Sequence, residues 1–147
     1  MCMKNINFKK FPKLPKLQGI KIQYGNAEIK SKSKLDIAII TFDKLASFAS
    51  VMTLSKTRAP NIDWLKKIKS LGKVKILFVN SGNANAYTGK KGHDNLKKII
   101  HCLSEKYSCK IKEVIISSTG VIGEQLPINK ITNFISNLFI KKTALKS

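Results

Sequence analysis

The strongest constraint on this chain is an apolar run that empties into a loop of small and amide-bearing residues. Ile76-Leu77-Phe78-Val79 passes directly into Asn80-Ser81-Gly82-Asn83-Ala84-Asn85-Ala86-Tyr87-Thr88-Gly89, and a strongly periodic segment follows. The pattern recurs downstream, where Val114-Ile115-Ile116 runs into Ser117-Ser118-Thr119-Gly120-Val121-Ile122-Gly123-Glu124. A short, uninterrupted apolar run reads as a buried strand. Two such strands, each opening into a small-residue loop, predict one site built at strand C-termini.

The segments between and after the loops read as helices. Leu96, Ile99, Ile100, Leu103 and Tyr107 recur at the spacing of one helical face, with Lys97, Lys98, Glu105 and Lys106 on the wet side. Asp94 is the expected N-cap of this helix. Ile128, Ile131, Ile135, Leu138 and Phe139 define a second amphipathic helix. Upstream, Ile20 to Tyr24 is a strand candidate, with Gly25-Asn26 as a turn and Ala27 to Lys30 as its hairpin partner. Leu35 to Phe42 and Phe48 to Leu54 are further strand candidates. Asn61 is expected to cap a short helix running to about Ser70, with Gly72 suited to its end. Strands alternating with helices predict the α/β class: a mixed sheet containing parallel strand–helix units.

With 147 residues the chain holds one domain's worth of sequence. The expected organisation is an extended arm over 1–18, an α/β domain over 19–140 and a tail over 141–147. Phe11-Pro12-Lys13-Leu14-Pro15 reads as the extended part of the arm, because proline restricts itself and its predecessor. The first residues are basic without an apolar stretch, so they do not read as a secretory signal. No window approaches the roughly 18 consecutive apolar residues of a membrane span, and no membrane partner is expected.

The formal net charge of +20 raises a nucleic-acid reading. Arg58 is the only arginine, however, and arginine is the residue suited to bidentate contacts with bases and phosphates. Lys, Ile and Asn all use A/T-rich codons, so a biased genome yields this composition without a functional cause. A solvated lysine surface is the expectation, with no specific nucleic-acid partner. Cys2, Cys102 and Cys109 fit a reducing, cytoplasmic setting better than a disulfide framework. Cys102 and Cys109 with His93 and His101 lack the spacing of a zinc site, so no metal is expected.

The loops suggest different chemistry. Gly82 and Gly89 have six residues between them, and Lys91 stands where a phosphate loop needs its metal-binding hydroxyl, which rejects a nucleotide site. Asn80, Gly82, Asn83 and Asn85 either contact substrate or tie down a tight turn through backbone hydrogen bonds. In the second loop Thr119 offers a hydroxyl donor and Gly120 a backbone N–H with no Cβ in the way. Such a pair can form an oxyanion hole, although the triplet Ser118-Thr119-Gly120 by itself reads more readily as a strand-to-helix turn with a capping threonine. No nucleophile is evident: Ser81 and Ser118 lack an elbow motif, nothing aligns His93 or His101 with either serine, and Cys109 has no activating base.

The Asn80–Asn85 and Ser118–Gly123 motifs closely resemble the ornithine acetyltransferase (glutamate N-acetyltransferase) family of arginine biosynthesis. Weaker likeness runs from about Phe11 to Leu138, including Leu35-Asp36-Ile37-Ala38 and Ser55-Lys56-Thr57-Arg58-Ala59-Pro60. Glu28 stands where the family usually has glycine. The resemblance implies the N-terminal part of a self-cleaving acetyltransferase with the family's α/β fold. Family members cut themselves before a threonine, which then carries acetyl from N-acetylornithine to glutamate, with acetyl-CoA as a co-substrate in some and no resident cofactor. It implies that Thr119 and Gly120 are the oxyanion pair. The nucleophile's Ala-Thr-Met-Leu block has no counterpart here, since no methionine follows Met52. The implied partner is a C-terminal β half, giving a hetero-oligomer of α and β chains. The competing reading from another class is a non-catalytic binding or scaffold remnant of the same fold.

Overall fold

The computed structural model describes Pro15 and residues 17–138. Most of the expected arm, the 141–147 tail, Cys2 and Phe139 lie outside those residues. Strands β1 (Ile20–Gly25), β2 (Ile37–Ser47), β3 (Lys73–Asn80) and β4 (Val114–Ser118) form one sheet, ordered β1-β2-β3-β4. β1 and β3 flank β2 antiparallel, while β3 and β4 pair in parallel. The helices are α1 (Pro60–Ile68), α2 (Gly89–Lys106) and α3 (Ile128–Asn137). A parallel pair needs a crossover, and α2 supplies it. The mixed sheet with its strand–helix–strand unit agrees with the α/β class expected from the sequence.

Alternation along the strands decides what each face does. β3 buries Val74, Ile76, Phe78 and Asn80, while Lys75, Leu77 and Val79 face the other way and stay partly exposed. The register carries the buried face through Ile37 and Ile39 of β2 and Val114 and Ile116 of β4. Onto it pack Leu96, Ile99, Ile100 and Leu103 of α2 and Ile131 and Ile135 of α3, the helical stripes read from the sequence. Truncating a fully buried phenylalanine such as Phe78 typically costs about 3–5 kcal/mol. α1 lies against β4: the Trp64 indole N–H donates to the Val114 carbonyl at 2.8 Å.

Several local expectations give way to tertiary context. Ala27 to Lys30 forms no hairpin arm, because β2 takes the edge of β1 instead. The Asp36 carboxylate claims the freed backbone, accepting from the N–H groups of Ala27 and Ile29 at 2.7 Å each. Within this loop Glu28 adopts φ +55°, a left-handed conformation that favours glycine and so accounts for the residue usual there in the family. Phe48 to Leu54 is not a strand. The ladder ends where the Phe48 N–H reaches the Gly72 carbonyl, and Val51 and Leu54 stand 101% and 89% exposed with no neighbouring strand to pair with. α1 starts at Pro60 behind Ala59, so Asn61 is not its cap; its side chain is drawn to β4 and the first loop. Gly72 does close the following 3₁₀ turn in the left-handed region. α2 begins at Gly89, five residues before Asp94, because Thr88 occupies the N-cap position.

Candidate functional site

The two loops leave the sheet side by side, because Asn80 and Ser118 end the parallel β3–β4 ladder in register. Pairing does not stop there. The Thr119 N–H donates to the Asn80 carbonyl at 3.0 Å, Val121 to Gly82 at 3.3 Å, Ala84 to Val121 at 2.8 Å and Gly123 to Ala86 at 2.9 Å. Asn83 and Val121 form a parallel bridge. The loops are thus zipped together as an irregular extension of the sheet, and the predicted juxtaposition of 80–89 with 117–124 is what the structure contains.

Gly120 sits at the tightest point of this zipper. A Cβ built there would come within 2.6 Å of the Gly82 carbonyl oxygen and 2.5 Å of the Asn83 nitrogen, contacts no side chain can make. Its φ of +129° also excludes ordinary L-residues. Among the described residues neither the Gly120 N–H nor the Thr119 hydroxyl has a hydrogen-bond partner, and both residues are exposed. Gly82, at φ +92°, turns the opposing loop into this contact.

Behind the zipper lies a buried amide network. Asn80 Nδ2 donates to the Asn83 carbonyl at 2.8 Å, and Asn83 Nδ2 to the Gln125 carbonyl at 3.3 Å. Asn85 Nδ2 is shared between the Gly92 carbonyl at 3.0 Å and Asn61 Oδ1 at 3.3 Å. Thr88 Oγ1 donates to Asn85 Oδ1 at 2.9 Å, and Gln125 Nε2 to the Thr88 carbonyl at 3.0 Å. Asn61 Nδ2 completes the chain by donating to Ser118 Oγ at 3.0 Å, one residue before Thr119. The hydrogen bonds that are made tie the two loops to α1 and α2 and rigidify what they hold. The side-chain oxygens of Asn80 and Asn83 are buried without a partner among the described residues. Gly92 leaves room for the network, because a Cβ there would collide with the Thr88 hydroxyl. Asn61, Thr88 and Gln125 were not singled out by the sequence as members of this site. No spacing rule connects them, since each reaches the network from a different element.

A cavity of about 500 Å³ opens beside the first loop, lined by Lys30, Ser31, Lys34, Asp36, Ser81 and Gly82. Lys30 and Lys34 outnumber its one carboxylate, Asp36, whose oxygens already accept from the Ala27 and Ile29 N–H groups. The histidines and serines do not combine. His93 Nε2 lies 3.3 Å from Asp63 Oδ2, and Arg58 Nε donates to Asp63 Oδ1 at 2.6 Å. The hydrogen bond from Arg58 holds the Asp63 carboxyl below its usual range, with His93 adding to the effect against partial burial. A lowered carboxyl pKa contributes stability above the unfolded-state value, and this is lost as the pH falls through the folded-state value.

Cys109 packs in a separate groove with Leu45, Leu71 and Ile111, at the opposite end of β3 from the loops. Burial pushes its thiol up to about 11, Glu113 adds to this, and Lys75 opposes it. The thiolate is the reactive form, so Cys109 should react with iodoacetamide at pH 8 about a hundredfold more slowly than a free cysteine. Peptide mapping after timed labelling measures this; a rate near that of the free thiol would show that the groove does not shield it. Among the described residues no group of His, Cys, Asp and Glu is arranged to hold a metal ion. No described helix is long and apolar enough to cross a membrane.

Comparison with known proteins converges on one family. The family model that matches, over residues 21–146, is that of the ArgJ family. The arginine biosynthesis bifunctional protein ArgJ of Mesorhizobium japonicum is 38% identical over 130 residues, covering 88% of this chain and 32% of the relative. That of Bartonella quintana is also 38% identical, over 85% of this chain and 30% of the relative. The chain therefore spans about a third of the length of the curated relatives it matches. Among solved structures, ArgJ of Bacillus halodurans superposes with a TM-score of 0.77 at 34% identity, covering 83% of this chain and 64% of that one. An ornithine acetyltransferase of Mycobacterium tuberculosis, solved with ornithine, gives 0.77 at 26% identity, covering 82% and 66%.

Proposed function

This chain belongs to the ArgJ family, and on that premise we propose that it is the N-terminal portion of a glutamate N-acetyltransferase in which Thr119 and Gly120 form the oxyanion hole. The observation that supports this reading is the backbone contact of Gly120 with Gly82 and Asn83, which pins the turn carrying Thr119 and Gly120 against the opposing loop. Asn80, Asn83 and Asn85 then act as scaffold, because their amide groups donate to the loops and to α1 and α2.

In this reading the nucleophilic threonine comes from the remainder of the family's length. It attacks the acetyl carbonyl of N-acetylornithine, and the carbonyl oxygen becomes an anion in the tetrahedral intermediate. Thr119 Oγ and the Gly120 N–H donate to that oxygen. Collapse releases ornithine and leaves an acetyl-enzyme, which glutamate then resolves. Both substrates carry carboxylates, which suits the cavity flanked by Lys30 and Lys34. The chemistry calls for no resident cofactor, and acetyl-CoA could serve as an alternative acetyl source. That a solved relative holds ornithine supports the substrate class.

The test is Thr119→Val in an assembly that contains the whole family length. Valine keeps the β-branched shape, and Thr119 is exposed, so folding should survive. Loss of one oxyanion donor costs about 2.7–4 kcal/mol, or roughly a hundred- to a thousandfold. The loss should fall on kcat rather than KM, because the oxygen carries full charge only in the tetrahedral state. Unchanged kcat in a folded, fully assembled variant would make Thr119 a turn residue only.

A further inference from the structure

We propose that Asn61 is a positioning residue for acetyl transfer: its side-chain amide fixes the end of β4 and thereby aims Thr119 and Gly120. The inference rests on the oxyanion reading above and adds what holds that pair in place from the helix side. β4 is anchored in the core by Val114 and Ile116, which share one face of the strand. Ser118 is the next residue on that face, and it brings a hydroxyl where an apolar anchor would stand. Thr119 continues the pairing through its N–H to the Asn80 carbonyl at 3.0 Å, so alternation puts its side chain on the opposite face. A slip of one residue at the strand end would send the Thr119 hydroxyl to the helix side. Asn61 guards against that slip, because its Nδ2 donates to Ser118 Oγ at 3.0 Å. Among the described residues Ser118 Oγ has no other hydrogen-bond partner.

The direction of this bond is forced from the far end of the network. The Gly92 carbonyl can only accept, so Asn85 must turn Nδ2 toward it, at 3.0 Å. Asn85 Oδ1 is then the atom that accepts from the Thr88 hydroxyl at 2.9 Å. The same Asn85 nitrogen faces Asn61 Oδ1 at 3.3 Å, which leaves the Asn61 nitrogen for Ser118. Asn61 and Asn85 are 6% and 1% exposed, so water competes little for these bonds.

The backbone that carries Asn61 is fixed as well. Pro60 opens α1, and Asp63 joins Arg58 to His93 of α2. Trp64 holds the Val114 carbonyl at the start of β4 while Asn61 holds Ser118 at its end. α1 therefore grips β4 at both ends. A misplacement of about 1 Å in a catalytic group typically costs on the order of a hundredfold in rate, so the grip at Ser118 bears on the chemistry.

Two readouts separate positioning from general stability. In the 147-residue chain, Asn61→Leu should speed hydrogen exchange of the Thr119 amide about tenfold or more and leave the Phe78 amide, in the middle of β3, unchanged. In the assembly that contains the whole family length, Asn61→Leu should lower kcat roughly ten- to a hundredfold, with KM within about twofold. Ser118→Ala removes the same bond from the other side and should lose as much. The double variant should be no slower than the slower single one, because both substitutions break one interaction. Ser118 is only half-buried, so Ser118→Ala carries both readouts if Asn61→Leu does not fold. Losses that multiply in the double variant overturn the inference. Exchange that quickens at Phe78 as much as at Thr119 also overturns it, since Asn61 would then serve only the stability of the fold. A kcat indifferent to both substitutions but lowered by Thr119→Val overturns it too, and leaves the oxyanion reading standing. If Thr119→Val is without effect, the oxyanion reading falls and takes the catalytic part of the inference with it, while selective exchange at Thr119 keeps Asn61 as the residue that holds the turn.

Discussion

The 147-residue chain by itself is expected to show no acetyl transfer from N-acetylornithine to glutamate, and none from acetyl-CoA. Covalent acyl transfer requires a nucleophile, and the described residues offer none that is activated. Ser118 Oγ accepts from the Asn61 amide and has no base beside it. His93 is turned toward Asp63 and away from both serines. Cys109 is held as a neutral thiol by burial, at the far end of β3 from Thr119 and Gly120. An oxyanion hole without a nucleophile can polarise a bound carbonyl but cannot form an acyl-enzyme. The measurement is radiolabelled acetyl transfer at high enzyme concentration, repeated after a further purification step. Turnover that tracks the purified chain would refute the division of labour proposed here. Activity that appears only when the rest of the family's length is supplied would support it.

Gly120→Ala is expected to have the largest effect of any single substitution at the site. The added methyl group meets backbone on the opposing loop, at Gly82 and Asn83, and backbone cannot rotate out of the way as a side chain can. The φ of +129° adds strain of about 1–3 kcal/mol, and overpacking adds about the same again. The melting temperature of the isolated chain should fall on the order of 10 °C. The Val121 and Ala84 amides, which close the zipper, should lose their protection from hydrogen exchange. In an active assembly both donors would move together, so the rate loss should exceed that of Thr119→Val and approach the product of two donor losses, roughly ten-thousandfold or more. A variant with unchanged stability and unchanged exchange at Val121 would show that the loops are not held at Gly120.

The parts of the fold legible beforehand are those where one residue pattern has one physical solution. The apolar runs Ile76–Val79 and Val114–Ile116 are too short for a helix and end in small-residue loops, and they lie within β3 and β4, which extend them by a few residues. The stripe Leu96-Ile99-Ile100-Leu103 could only be one helical face, and all four side chains are buried. Capping was less legible. Asp94 and Asn61 both have the chemistry of an N-cap, but a capping side chain competes with whatever tertiary partner lies nearer. Asn61 found Ser118 and Asn85, and α2 started early because Thr88 and Gly92 fit together beside Asn85.

What the sequence by itself determined was composition into elements: two strand–loop units, two amphipathic helices, the α/β class, and the loops in which Thr119 and Gly120 lie. Those features depend on contacts within a few residues, where backbone geometry alone dictates the period. Only the tertiary structure decided that β2 rather than Ala27–Lys30 pairs with β1, and that Gly120 presses against Gly82. It alone joined Asn61 to Ser118 across 57 residues and set the stripes of α2 and α3 on one face of the sheet. Each of these is a choice among partners distant in sequence, and that choice is made by which surfaces pack best once the chain has closed on itself.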